Sequence, residues 1–155
     1  MIKLLVALLV LVPSFSVIAD SQPQGLITVK SKNSVSKTIE KFENSVKAKG
    51  FKVFTRLDHA AAAKEYGLQM PPATIIIFGN PKMGTPVFIK TPTVAIDLPL
   101  KAMVWEDSEG EVFFSMNSAA YLFGTIYPRH GIKRDDKKIA RATFLFENFV
   151  KAATN

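Results

Sequence analysis

The side chains here that could do chemistry are few: two histidines, one lysine inside an apolar run, and a glycine-punctuated turn with a lysine of its own. Asp58-His59 sets a carboxylate next to an imidazole, the two halves of an acid–base pair, and imidazoles titrate near neutral pH. Neighbouring residues on a helix do not face each other, however, and Asp58 stands where a helix N-cap belongs, which is the plainer role. Lys101 lies within LPLKAMVW, from Leu98 to Trp105. It shares a strand face with Met103 and Trp105 or lies opposite them, depending on a bulge at Pro99. A lysine desolvated there would bind or react with a carbonyl or carboxylate. The simpler account is an edge-strand lysine that keeps sheets from pairing.

The run Gly79-Asn80-Pro81-Lys82-Met83-Gly84-Thr85 has the glycine spacing of a phosphate loop. No lysine follows its second glycine, and Pro81 and Pro86 remove backbone donors that such a loop uses. It reads instead as a strand exit that the Asn80 side chain closes and Pro81 fixes. A small anion held by Lys82 and the amides near Gly84 is the intermediate case. His59 and His130 are far apart in sequence, no His-x-x-x-His pair exists and cysteine is absent, so no metal or other cofactor is expected. A Gly-x-Ser-x-Gly elbow is also missing. No complete catalytic set emerges, and no residue is assigned as catalytic.

The chain that must position these groups opens with MIKLLVALLVLVPSFSVIA, which reads as an export signal. Lys3 supplies its positive start, Leu4 to Val12 its apolar run, and Val17 and Ala19 the small residues before a cleavage site. The run is shorter than the ~20 residues a membrane span needs. The mature chain is therefore expected to begin at Asp20, in the periplasm or outside the cell, with no transmembrane anchor left. Residues 20–24 form a polar lead-in and 25–155 a single domain, long enough to bury about two-thirds of its unfolded surface without disulfides. The formal charge of the whole chain is +7. Eight basic side chains fall between Lys30 and Arg56, and a second group runs from Arg129 to Arg141. Aromatics do not interleave with these lysines, so a nucleic-acid partner is not expected. A solvated face, or contact with anionic lipid or polysaccharide, fits better.

Alternation at Leu26–Lys30 predicts a first strand. Val35, Ile39, Phe42 and Val46 then predict a helix capped by Asn33 or Ser34 and ended by Gly50. A second strand is expected at Phe51–Leu57, with Phe51, Val53, Thr55 and Leu57 on one side, followed by a short helix from Asp58 to Gly67. Thr74 to Phe78 is apolar on both faces, as a doubly covered strand would be. Thr85-Pro86 resembles a cap followed by proline at the first helical position, opening a turn at Val87–Lys90. Thr93–Ile96 and then Leu100–Glu106 read as one strand, with Leu98-Pro99 marking a bulge or edge because proline cannot donate to a ladder, and past a Ser108–Gly110 hairpin turn Glu111–Met116 returns as the last strand. Glu106 and Asp107 are turn-flanking acids. Asn117-Ser118 caps a short helix, Gly124 to Gly131 is irregular, and a last helix spans about 135–152. The expected fold is α+β, a single, largely antiparallel five-stranded sheet covered by two long helices on one face.

From Gly25 to about Leu122 the chain resembles the DUF302 family, a set of domains of unknown function. Gly50-Phe51, Asp58-His59 with its alanine-rich helix, FGNP at Phe78 to Pro81, KMGTP at Lys82 to Pro86 and IDLPLKAMVWED at Ile96 to Asp107 carry the likeness. The resemblance implies a TBP-like α+β fold and a homodimer. Two departures stand out. Similar members carry Asn-Asp-Pro where this chain has Asn117-Ser118-Ala119, and they run almost directly into an Arg-His-Gly tract. Here Gly124 to Pro128 intervene before Arg129-His130-Gly131, so the resemblance assigns that tract no role.

The leading expectation is an exported, non-enzymatic module that binds a small ligand or a partner protein, with pocket residues drawn from Asp58, His59, Asn80, Pro81, Lys82, Lys101 and Trp105. The rival is a small enzyme built on Asp58, His59 and Lys101. A third reading is adhesion to an anionic surface through the Lys30–Arg56 face.

Overall fold

The structure, a computed structural model, describes residues 25–155; the expected signal, its cleavage site and the polar lead-in lie outside the described residues. Five strands form one antiparallel sheet: β1 (Leu26–Lys30), β2 (Lys52–Asp58), β3 (Ala73–Gly79), β4 (Leu100–Glu106) and β5 (Val112–Asn117), in spatial order β1-β5-β4-β3-β2. Helices α1 (Val35–Ala48) and α6 (Asp136–Thr154) cover one face. This is the α+β architecture that the strand and helix patterns imply.

Each long helix owes its ends to local chemistry. The Ser34 hydroxyl accepts from Lys37 N, which starts α1. Gly50, at φ 76°, ends it, with Gly50 N donating to Lys47 O and Phe51 N to Val46 O. Asp135 caps α6 by accepting from Lys138 N at 3.0 Å. Between helices and sheet, Phe42, Phe78, Phe114 and Phe149 are fully buried. Phe42 meets Phe78 edge-to-face at 5.0 Å, the arrangement that the ring quadrupoles favour.

One polar side chain lies under this core's edge. Glu43 of α1 is buried and accepts from Arg56 Nε at 2.5 Å and Lys47 Nζ at 3.2 Å. The Arg56 hydrogen bond is the main reason its carboxyl sits below the usual glutamate range.

Several local expectations need correction. Phe51 precedes β2, and Val53, Thr55 and Leu57 within it do not share a side. The register shifts between Val53 and Thr55, so Val53 pairs with Phe78 towards the helices while Thr55 and Leu57 pair with Ile77 and Ile75 on the other face. The helix expected from Thr85 instead starts at Pro81, giving α3 (Pro81–Lys90), because Asn80 is the cap and its side chain accepts from Lys82 N at 3.0 Å. Pro86 is thus inside the helix, where it removes a single backbone bond. The Thr93–Ile96 strand is a 3₁₀ helix, Pro92–Ile96, opened by Pro92; Val94 alone of these residues is buried. The Leu98-Pro99 peptide is cis and precedes β4 without a bulge in it.

The remaining correction concerns Gly124 to Gly131. The chain there is helical, not irregular: α4 (Ala119–Tyr121) runs through a π-helical turn at Leu122–Ile126 into α5 (Tyr127–Arg129). A π turn is how a helix absorbs additional residues without breaking. Leu122 and Ile126 reach the core from it, and Phe123 packs edge-to-face on Tyr127 at 4.9 Å. His130 N and Ile132 N both donate to Tyr127 O, and Gly131 turns at φ 78°.

Candidate functional site

The sequence-expected pocket residues are divided between the two ends of the sheet. Asp58 pairs with Thr74 and Trp105 with Ala73, at one end. Lys101 pairs with Ile77, and Asn80 to Lys82 follow β3, at the other. Thr74 and Asn80 are six residue steps apart along the strand, about 20 Å, which is too far for one small-ligand site. Asp58 is occupied as the cap of α2 (His59–Glu65), accepting from Ala61 N at 3.0 Å, and Asn80 is occupied as the cap of α3. Lys101 lies two strands across and three residues along from Asp58, about 14 Å, and on the opposite face from Thr74, so Asp58, His59 and Lys101 do not form one constellation.

Nor is Lys101 an edge gatekeeper, because β4 is the central strand. It shares the helix-free face with Met103 and Trp105, and its ammonium donates to Asp97 O at 3.0 Å and Pro99 O at 3.3 Å. On that face the strands present Phe54, Leu57, Ile75, Ile77, Met103, Trp105 and Phe113. Neither long helix covers them; Phe54 is 43% and Leu57 46% exposed, while Ile75, Ile77, Met103, Trp105 and Phe113 are half-buried. Trp105 stacks on Phe113 at 4.8 Å and donates to Ser115 Oγ at 3.0 Å.

The basic residues of Lys30–Arg56 are largely engaged within the fold. Lys30 pairs with Glu111, Lys37 with Glu40, Lys47 and Arg56 with Glu43, and Lys41 donates to Asn155 O. In the second basic group, Arg134 pairs with Asp136 and Lys138 with Asp135. Among the described residues, no group of three His, Asp or Glu side chains is placed to hold a metal ion, and no helix is long and apolar enough to cross a membrane.

What the fold does gather is a polar cluster that sequence reasoning missed. His130 Nε2 lies 2.6 Å from Asp97 Oδ2, and its Nδ1 lies 3.1 Å from Thr93 Oγ1. The imidazole side chain is only 7% exposed, and the Arg129 guanidinium reaches Asp97 Oδ1 at 3.3 Å. The hydrogen bond from His130 is the main influence holding the Asp97 carboxyl below the usual aspartate range; burial opposes it, and the Arg129 charge adds to it. Beside the cluster, Leu100 and Lys101 of β4 face Asn117 and Leu122 across a cleft of about 20 Å³. That is room for about one water molecule. Thr93 and Asp97 belong to the 3₁₀ turn, His130 to the end of α5, and 37 and 33 residues of sequence separate the partners. The Arg129-His130-Gly131 tract was the available signal, and the π turn is what carries it to Asp97.

The family model for "Domain of unknown function DUF302" matches residues 27–144, reaching beyond the sheet into α6. Over 110 residues the chain is 46% identical to "Fluoride-specific ion channel FluC 1" of Brucella suis biovar 1 (strain 1330), covering 71% of this chain and 42% of that protein. The protein of the same name from Brucella abortus biovar 1 (strain 9-941) matches at 46% over 110 residues, covering 71% of this chain and 40% of the relative. The chain thus spans about two-fifths of the length of the curated relatives it matches. Among solved structures, an uncharacterized conserved DUF302 protein from Bacillus stearothermophilus superposes with a TM-score of 0.69 at 22% identity, covering 84% of this chain and 99% of that one. That likeness carries the fold, and the family match carries the membership: this chain belongs to the DUF302 family, whose biochemical role is unknown.

Proposed function

We propose that this chain is an exported binding module that works as a homodimer, with its signal removed after Ala19 and its domain in the periplasm or outside the cell. The observation that carries the dimer is the helix-free face of the sheet. A one-sided antiparallel sheet normally alternates apolar inward and polar outward. Here Ile75 and Ile77 of β3, Met103 and Trp105 of β4 and Phe113 of β5 make the outward face apolar as well. Its occupant is a second copy. The centre of the face carries a single charged side chain, Lys101, already engaged by two carbonyls of its own chain, so an identical apolar face meets no unpaired charge there. Recurrence of a similar segment inside longer chains named as fluoride-specific ion channels supports a module that operates beside other protein domains.

Sedimentation equilibrium of residues 20–155 tests this reading. A dimer is expected at micromolar concentration, and Ile75→Glu with Met103→Glu is expected to give a folded monomer. A wild-type chain that stays monomeric at hundreds of micromolar overturns it.

A further inference from the structure

We propose that Thr93, His130 and Asp97 form a hydroxyl–imidazole–carboxylate relay that takes an acyl group from small activated esters onto Thr93 Oγ1. This goes beyond the dimer reading and is independent of it, because the relay stands on the turn and helix that flank one end of the sheet.

The hydrogen bonds settle which atom carries the proton. The Asp97 carboxyl, held ionised, can only accept, so in the neutral imidazole the proton is on Nε2, 2.6 Å from Oδ2. The lone pair is then on Nδ1, 3.1 Å from Thr93 Oγ1, and the hydroxyl donates to it. A hydroxyl hydrogen-bonded to a base that a carboxylate orients is the arrangement of an activated nucleophile, recognised by geometry and not by sequence order. Exposure follows the same division. Thr93 is open to solvent, whereas the His130 side chain is 7% exposed and held in one orientation by bonds at both nitrogens.

In the reaction, the Thr93 oxygen attacks the ester carbonyl as its proton passes to His130 Nδ1, and the imidazolium is stabilised by Asp97. The ester C–O bond breaks, and the leaving oxygen departs with the proton from Nδ1. An acyl–threonine ester and an alcohol result, and water, activated by the same imidazole, returns the free hydroxyl and a carboxylic acid.

The test incubates the chain with p-nitrophenyl acetate, follows nitrophenolate release and maps the acetylated residue by mass spectrometry. Acetyl is expected on Thr93, absent in Thr93→Val and retained in Thr93→Ser. His130→Gln should slow labelling by about a hundredfold, the low end of what a positioned general base supplies. A merely structural cluster would show equal labelling in Thr93→Val and Thr93→Ser. Acetyl confined to lysines, or release unaffected by Thr93→Val in a variant that melts like the wild type, overturns the proposal.

Discussion

Replacing Arg56 by methionine isolates the buried carboxylate of Glu43 in α1. Glu43 has a side chain 8% exposed, held by Arg56 Nε at 2.5 Å and by Lys47 Nζ at 3.2 Å. Arg56→Met keeps most of the side-chain packing and leaves Glu43 with Lys47 alone. Hydrogen bonds to charged groups contribute about 1.5–3 kcal/mol, and stripping a fully buried charge of its partner costs about 3–5 kcal/mol. Arg56 is itself 52% exposed and Lys47 remains, so solvent screening places the loss near the bottom of these ranges, about 2 kcal/mol. For a domain of this size that corresponds to a fall in Tm of about 7 °C at neutral pH. The pH dependence identifies the cause. Glu43 has its folded pKa depressed, so its contribution is fully present above the ordinary glutamate value and is lost as pH falls through the depressed one. The gap between wild type and Arg56→Met should therefore narrow in acid, and Glu43→Leu combined with Arg56→Met should recover much of the stability. Calorimetry between neutral pH and pH about 3 makes the measurement. A gap that is absent at neutral pH, or that stays constant into acid, would falsify the electrostatic account.

Two further changes probe the packing. Phe149→Ala removes a ring that meets Phe42 at 6.3 Å and Phe51 at 5.4 Å, and a loss of about 4 kcal/mol is expected in urea unfolding. Gly25→Ala is expected to cost about 1–3 kcal/mol, because Gly25 stands at φ 85° and an added Cβ would lie 2.5 Å from the Tyr121 ring. Tyr121→Ala in that background should relieve the clash and leave the backbone strain, which the same unfolding curves would separate.

The regular elements were legible because each carries its own local signal. Val35, Ile39, Phe42 and Val46 repeat at helical spacing and Gly50 marks the end, so α1 needed nothing beyond its own residues. Asp58 and Gly67 did the same for α2, although none of its residues is buried. Failures came where local preference was ambiguous or long-range contact decided. Asn80-Pro81 reads locally as a turn and Thr85-Pro86 as a helix start, yet the helix begins at Pro81 because the Asn80 side chain accepts from Lys82 N. The β2 alternation failed at Phe54, since a register shift against β3 depends on the partner strand. The polar cluster was beyond local reading for the same reason. Asp97 and His130 are 33 residues apart, and their meeting depends on a π turn that no periodicity of 3.6 or 2 announces. The residues expected to form a pocket were real features of the chain, but Asn80 and Asp58 were already committed to helix starts at opposite ends of the sheet.

The outermost strand β1 is bonded only to β5, with Leu26 opposite Asn117. A ribosome delivers Leu26 about ninety residues before Asn117, so the first strand has no seat until all four other strands have been synthesised. Joining the ends of so long a segment carries an entropic penalty that neighbouring hairpins escape. The β2-β3-β4-β5 meander can zip up from adjacent pieces, leaving the leading strand to dock late, and until then the edge of β5 stands open to any other extended chain that reaches it.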